Sequence, residues 1–317
     1  MIDRSKEDRM GTYVQSAADR WLQRAIIVAA AVLALAVLGL AGLYVRERVT
    51  QPTTSLADRR VEQAKAAVRS DPNNADARVT LGSALLTKRM YREALEQFQE
   101  ILRANEWHQA ALIGAGVASA RLRQDDQAVQ YFQKVVEINQ DKDFVDVDRR
   151  LNAVYYELGR IYLAKGQMDE AVDSLQKALR IDRTDADVLM LLGQALTGQG
   201  NLDEAMYAYR SAAAFVPDFV DAYQGLITAA EKKGDADWAA YGKAMIAFST
   251  GKYDEAIRGL EAIVSNMDQP DAATGLGLTY EAKGDKAKAL EAYQKAVSID
   301  PDARFAKNKV TQLSVAQ

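Results

Sequence analysis

Two hydrophobic patterns divide the chain. From Ala25 to Val45, 21 consecutive residues carry no charge, and the hydroxyl of Tyr44 is the only polar side-chain group among them. From about residue 56 onward, apolar residues recur at helical spacing in short segments that glycine, proline and polar residues separate. The pattern predicts an all-α protein, with one long apolar helix followed by many short amphipathic helices.

The apolar run has the length of a membrane span, since a helix of about 20 residues crosses the hydrocarbon core. Trp21 and Tyr44 suit the two interfaces. Four basic side chains that can reach the headgroups flank the run, namely Arg20, Arg24, Arg46 and Arg48. The alternative is a cleaved signal peptide, but its apolar core would be only about 7–15 residues long and would precede a small-residue cleavage site. We predict an N-terminal tail over residues 1–24 and a retained single transmembrane helix over residues 25–45.

A short junction over residues 46–55 follows the predicted span. Pro52 interrupts a helix, and hydroxyl residues after it are favourable N-caps. Ser55 and Asp58 have the spacing of a capping box, with Asp in place of Glu. We therefore predict that a helical domain begins at residue 56, close to the membrane.

The rest of the chain repeats itself. A Leu-Gly or Ala-Gly pair recurs, and its glycines lie 34, 43, 34 and 84 residues apart: Leu81-Gly82, Ala115-Gly116, Leu158-Gly159, Leu192-Gly193 and Leu276-Gly277. Self-similarity at such a period indicates stacked helical hairpins. Small residues would lie where the two helices of a hairpin cross, and bulky residues would fill the holes between neighbours.

These pairs belong to a longer motif that resembles the tetratricopeptide repeat, W-x2-L-G-x2-Y, then A-x3-F, then P. One of the best matches is Ala273-x2-Leu276-Gly277-x2-Tyr280 with Ala289-x3-Tyr293 and Pro301. The resemblance covers residues 56–301 and implies a right-handed α-solenoid. Residues 302–317 are expected to form a C-terminal capping helix. The whole chain resembles bacterial-type membrane-anchored repeat proteins.

Two departures interrupt the period. Nine extra residues stand between the second and third repeats, around residues 141–150. Between Ala239 and Ala256 the spacing falls to 17 residues, half a repeat. The helix from about Asp237 to Ser249 therefore belongs either to the hairpin before it or to the one after it.

The composition argues against most kinds of metal site and active site. The chain has no cysteine and one histidine, His108, which argues against thiolate zinc sites, histidine clusters and Ser-His-Asp catalysis. An acidic group in the insertion lacks the glycine and the spacing of an EF-hand: Asp141, Asp143, Asp146 and Asp148. We predict a non-enzyme with no catalytic residue, metal or cofactor. The net charge of −4 and the absence of a basic stretch argue against nucleic acid.

The resemblance implies a concave groove, lined by the first helices of the hairpins, that holds peptides. Projection at 3.6 residues per turn places two groups of residues on or near this face. They are Tyr156, Arg160, Met190 and Gln194, and then Trp238, Tyr241, Met245 and Phe248. The second group has an alternative role as core packing of the irregular half-repeat. The Lys and Asn clamp with which some family members hold a carboxylate is not reproduced, since Val79, Ser83 and Gly114 stand in its places.

These features predict a protein-binding scaffold or adaptor in a membrane-associated assembly, in contact with the lipid bilayer through residues 25–45. The alternative is a chaperone-like assembly or export factor that binds clients transiently through the groove. Five Lys or Arg residues precede the span and five lie in the first twenty residues after it, so charge barely decides the topology. Because a short basic tail resists translocation, we predict a single-pass cell-membrane protein with an extracytoplasmic repeat domain.

Overall fold

The computed structural model describes residues 26, 28–29, 32–42, 55–140, 148–266 and 268–315. These residues contain no strand. Between residues 55 and 315 they form the helices α1 (Leu56–Ser70), α2 (Ala75–Thr87), α3 (Tyr91–Ala104), α4 (Gln109–Arg121), α5 (Asp125–Asn139), α6 (Arg149–Ala164), α7 (Met168–Ile181), α8 (Ala186–Gln199), α9 (Leu202–Phe215), α10 (Val220–Lys233), α11 (Ala236–Ser249), α12 (Tyr253–Asn266), α13 (Pro270–Ala282), α14 (Lys286–Ile299) and α15 (Arg304–Val315). Two compact units, residues 1–63 and 64–317, make up the chain.

In the first unit, residues 32–42 are helical and their side chains are exposed. The remainder of the predicted span lies largely outside the described residues, as does the tail over residues 1–24. Among the residues that are described, no helix has both the length and the apolar character needed to cross a bilayer. The capping box is confirmed, because the backbone N–H of Ser55 donates to the Asp58 carboxylate at 3.1 Å and the N–H of Asp58 donates to Ser55 Oγ at 3.1 Å.

In the second unit, the turns within the hairpins share one backbone motif. Each turn has a residue with positive φ, and the next N–H donates to the carbonyl five residues before it, as from Met90 to Leu85 at 2.9 Å. This pattern is the Schellman motif, which closes a helix through a left-handed residue. Glycine takes that position in five turns, whereas Arg89 and Arg123 take it at φ 59° and 64°. In the described part of the chain, every residue with positive φ lies in one of these turns.

Helix α11 lies between two such turns, at Gly234 and Gly251. It is therefore the second helix of the hairpin α10/α11 and the first helix of the hairpin α11/α12. Contacts between the first helices of neighbouring hairpins support this double role. Helices α2, α4, α6, α8 and α10 contact one another in order, and α11 contacts α13 in the same way. The half-repeat spacing thus marks one helix that two hairpins share.

The Leu-Gly and Ala-Gly pairs mark close helix crossings. A bulky side chain of the second helix lies against the glycine of the first helix, so that a Cβ on Gly193 would lie 2.7 Å from the Tyr209 ring. The same ring lies under Gly225 of the next hairpin, where a Cβ would approach to 2.2 Å. Five side chains lie in this way against a first-helix glycine, one in each of four successive hairpins and one in the last: Phe98, Phe132, Leu175, Tyr209 and Tyr293. Only glycine leaves room for them.

Candidate protein-binding groove

Four predicted groove residues lie on the first helices of two neighbouring hairpins. Tyr156 and Arg160 are on α6, Met190 and Gln194 are on α8, and the four-residue spacing places each pair on one face. Tyr156, Arg160 and Met190 are half-buried, and Gln194 is exposed. The Gln194 amide donates to the sulfur of Met190 at 3.0 Å. The structure therefore brings together the first predicted group on a face that solvent reaches.

A buried carboxylate organises the polar part of this face. Glu157 is only 6% exposed, and it accepts hydrogen bonds from two guanidinium groups. Arg121, at the end of α4, donates through Nη2 to Glu157 Oε1 at 2.8 Å and through Nη1 to Oε2 at 3.3 Å. Arg160, one turn after Glu157, donates through Nε and Nη2 to Oε2 at 2.9 and 2.8 Å. The hydrogen bond with Glu157 raises the pKa of Arg121.

Apolar side chains of α4 continue the same face. Ile113 and Val117 are half-buried and pack against the core from α4, the first helix of the hairpin before α6. Burial raises the pKa of Tyr156, and the carboxylates of Asp187 and Asp185 at the start of α8 raise it further. Across α4, α6 and α8 the face thus has an apolar centre, acidic groups beside the start of α8, and the two arginines towards the ends of α4 and α6.

The second predicted group, on α11, has a different environment. Tyr241 and Met245 are 7% and 1% exposed, and Trp238 and Phe248 are half-buried. The Arg210 guanidinium stacks 3.9 Å from the centre of the Trp238 ring, and the Tyr241 ring meets the Trp238 ring edge-on at 5.4 Å. Their role in binding stays a prediction, beside the alternative that they pack the shared helix.

Tyr241 and Met245 also line a pocket of about 140 Å³ between α9, α10, α11, α13 and α15. Arg210 crosses its edge and donates to the Asp271 carboxylate at 2.8 Å, which joins α9 to α13. Tyr223 lies in the wall, and its hydroxyl donates to the carbonyl of Pro217 at 3.0 Å. On α11, therefore, Tyr241 and Met245 line a small pocket and not an open face.

Family models agree with the repeat pattern. One model described as "TPR repeat" matches residues 159–200, and one described as "Tetratricopeptide repeat" matches residues 79–143 and 241–304. The chain belongs to the tetratricopeptide-repeat (TPR) family. The second matched segment runs from within α11 through α14, which agrees with α11 as a first helix.

The chain is also similar to several solved structures. YrrB, titled a TPR protein with an unusual peptide-binding site, is 19% identical, and the alignment covers 78% of this chain and 97% of that one with a TM-score of 0.45. A TPR protein from Parabacteroides merdae is 17% identical over 80% of this chain and 91% of that one, with a TM-score of 0.44. MamA from Desulfovibrio magneticus is 18% identical over 72% and 96%, with a TM-score of 0.41. No curated protein matches the chain.

Sequence reasoning missed several residues of this face. Ile113 and Val117 lie 43 residues before Tyr156 and Arg160, the same interval that separates Gly116 from Gly159. Aligning the two repeats would therefore have identified them. Glu157 and Arg121 had no such signal, because their ion pair joins two hairpins. His108 lies in a loop as predicted and caps α4, since its Nδ1 accepts from the N–H of Ala111 at 3.3 Å.

The acidic insertion is described only at its end. Asp148 caps α6, where its carboxylate accepts from the N–H of Arg150 at 2.9 Å. Asp141, Asp143 and Asp146 lie outside the described residues. Within the described ranges, no cluster of His, Cys, Asp or Glu has the arrangement of a metal site.

Proposed function

We propose that this TPR protein is a non-catalytic, membrane-anchored scaffold or adaptor that binds partner proteins through the first-helix groove. Proteins of this family generally mediate protein–protein interactions. The observation that carries the proposal is the open face of α4, α6 and α8. On it, apolar side chains that remain half-buried stand beside positioned charged groups, and this combination suits partner recognition.

The anchor is the apolar segment over residues 25–45. Its described part supports this role, because residues 32–42 form a helix whose side chains are all apolar and exposed. A helix with apolar side chains on all sides is stable in lipid or inside a protein, and not in water. We place the repeat domain outside the cytoplasm, and protease added to intact spheroplasts should then remove it. Full protection would overturn this topology.

The groove is tested by a paired substitution. Tyr156→Ala combined with Met190→Ala removes two apolar anchors from the face, and truncating a true anchor costs at least about 2 kcal/mol, or about thirtyfold in affinity. Recovery of cross-linked partners should fall by about the same factor, while the circular dichroism melt shifts by only a few degrees, because both side chains are half-buried. Tyr207→Ala is the matched control, because Tyr207 is 69% exposed on a second helix.

The partners recovered distinguish scaffold from chaperone-like factor. A small set in fixed stoichiometry supports the scaffold, whereas a broad, substoichiometric set supports the alternative. Unchanged recovery with the paired variant means that partners dock on another face.

A further inference from the structure

The cluster of Arg121, Glu157 and Arg160 carries more positive than negative charge on an open face. Glu157 supplies one carboxylate, with 8% of its side chain exposed, whereas the side chains of Arg121 and Arg160 are 42% and 30% exposed. In the described chain, no other carboxylate lies within ion-pair distance of either guanidinium. The cluster therefore holds a net charge of +1 where a partner can reach it.

Glu157 also holds both guanidinium groups in place. Each planar guanidinium has five N–H donors, and each uses two of them on this carboxylate. The remaining donors are free to meet a second acceptor. Because the side chains are already ordered, a second carboxylate would bind without the usual entropy cost of fixing two long side chains.

The neighbouring residues define what else the ligand carries. Ile113, Val117 and Tyr156 form the apolar centre of the face beside the arginines. On the other side of that centre, Asp185 and Asp187 influence Tyr156 and would repel a carboxylate. An acidic group is therefore favoured only at the end of the face where the arginines lie.

We infer that the groove recognises a partner segment in which an Asp or Glu side chain lies beside apolar residues, with the carboxylate bound between Arg121 and Arg160. The inference rests on the proposed function, because it names the chemistry of the segment that the groove would hold. Charge-assisted, forked hydrogen bonds between arginine and carboxylate provide the specificity.

The test selects ligands without assuming a partner. Short random peptides on phage are selected against the full chain in detergent micelles, first with the wild type and then with Arg121→Gln combined with Arg160→Gln. Peptides from the wild type should carry Asp or Glu at a constant place beside apolar residues. Those from the variant should keep the apolar residues and lose the acidic one. A control variant removes two positive charges from second helices, Arg103→Gln with Lys177→Gln, and should select the same peptides as the wild type.

A second measurement leaves the protein unchanged. A selected peptide and its form with Asn or Gln in place of the acid are titrated against the wild type, and the neutral form should bind at least about tenfold more weakly.

The outcomes separate the two claims. Selection of acid-free peptides, or equal binding of the acidic and neutral forms, overturns the carboxylate site and leaves the groove function standing. Selection of no peptide by the wild type contradicts the proposed function itself. An equal loss in the second-helix control would show that general charge, and not this cluster, attracts the acid.

Discussion

Helices α6 and α11 carry residues at the same two positions of the repeat, yet the pair on α6 is reached by solvent and the pair on α11 is buried. Tyr156 and Arg160 on α6 are half-buried, and the corresponding Tyr241 and Met245 on α11 lie in the interior. The difference follows from the neighbours of each helix. Helix α11 belongs to two hairpins, and the ion pair of Arg210 with Asp271 links α9 to α13 beside the pocket that Tyr241 and Met245 line. Position in the repeat sets which way a side chain points, and the neighbouring helices decide whether it is covered.

The two regions also differ in the side chains that fill the helix crossings. The first three hairpins use Phe98, Phe132 and Leu175, whereas the later crossings use Tyr209 and Tyr293. Burial raises the pKa of both tyrosines, as well as that of Tyr241. Only the later part of the solenoid therefore has crossings that high pH can weaken.

The largest expected effect separates two methionines on first helices. Met245→Ala should lower the free energy of unfolding by about 2–5 kcal/mol, because it leaves a cavity in the interior. Met190→Ala removes the same atoms from a half-buried site and should cost about 1 kcal/mol. Urea unfolding followed by circular dichroism measures both. Equal losses of stability would mean that Met190 on α8 and Met245 on α11 are buried to the same extent.

The next effect is a difference in alkaline stability between the regions. Tyrosines of the unfolded chain lose their protons near about pH 10, and the buried tyrosines keep theirs to higher pH. Their contribution to stability is therefore complete below about pH 10 and falls as the pH rises, by about 1.4 kcal/mol per pH unit for each proton that only the folded chain retains. The later hairpins should weaken first, while the Phe98 and Phe132 crossings hold.

Two tryptophans report the regions separately, because Trp107 lies before α4 and Trp238 on α11. Variants that keep only one of them are unfolded in urea at about pH 8 and about pH 10.5. The midpoint seen by Trp238 should fall more than the one seen by Trp107. Tyr209→Phe with Tyr293→Phe should reduce that gap, and a gap of the same size in both variants would exclude these tyrosines as its cause.

The smallest expected effect concerns the hairpin turns. Arg89→Gly and Arg123→Gly should each stabilise the early hairpins by about 0.5–1 kcal/mol, because an L-residue is strained at positive φ. Gly251→Ala, at a turn with room for a Cβ, should destabilise by a similar amount through the same strain. Thermal melts of the three variants test whether each substitution raises or lowers the stability as expected. A loss on Arg89→Gly would show that the arginine side chain has a compensating contact.

Much of the molecule was predictable because its determinants are local. The Schellman turns, the helix that starts at the Ser55 cap and the glycine crossings each depend on residues that lie close in sequence or repeat at a regular interval. The open pairs of α6 and α8 followed from helical periodicity for the same reason. The membrane span, its topology and the domain boundaries at residues 302–317 stay predictions.

By itself, the sequence determined the family, the hairpins and which residues of each first helix share one face, because helical period and turn chemistry act over a few residues. Only the tertiary structure decided that α11 serves two hairpins, that Tyr241 and Met245 are covered, and that Arg121 and Arg160 share Glu157. Each of these depends on contacts between residues in different hairpins. Such contacts arise from the curvature of the stacked helices, which small differences in loop length and side-chain volume set together.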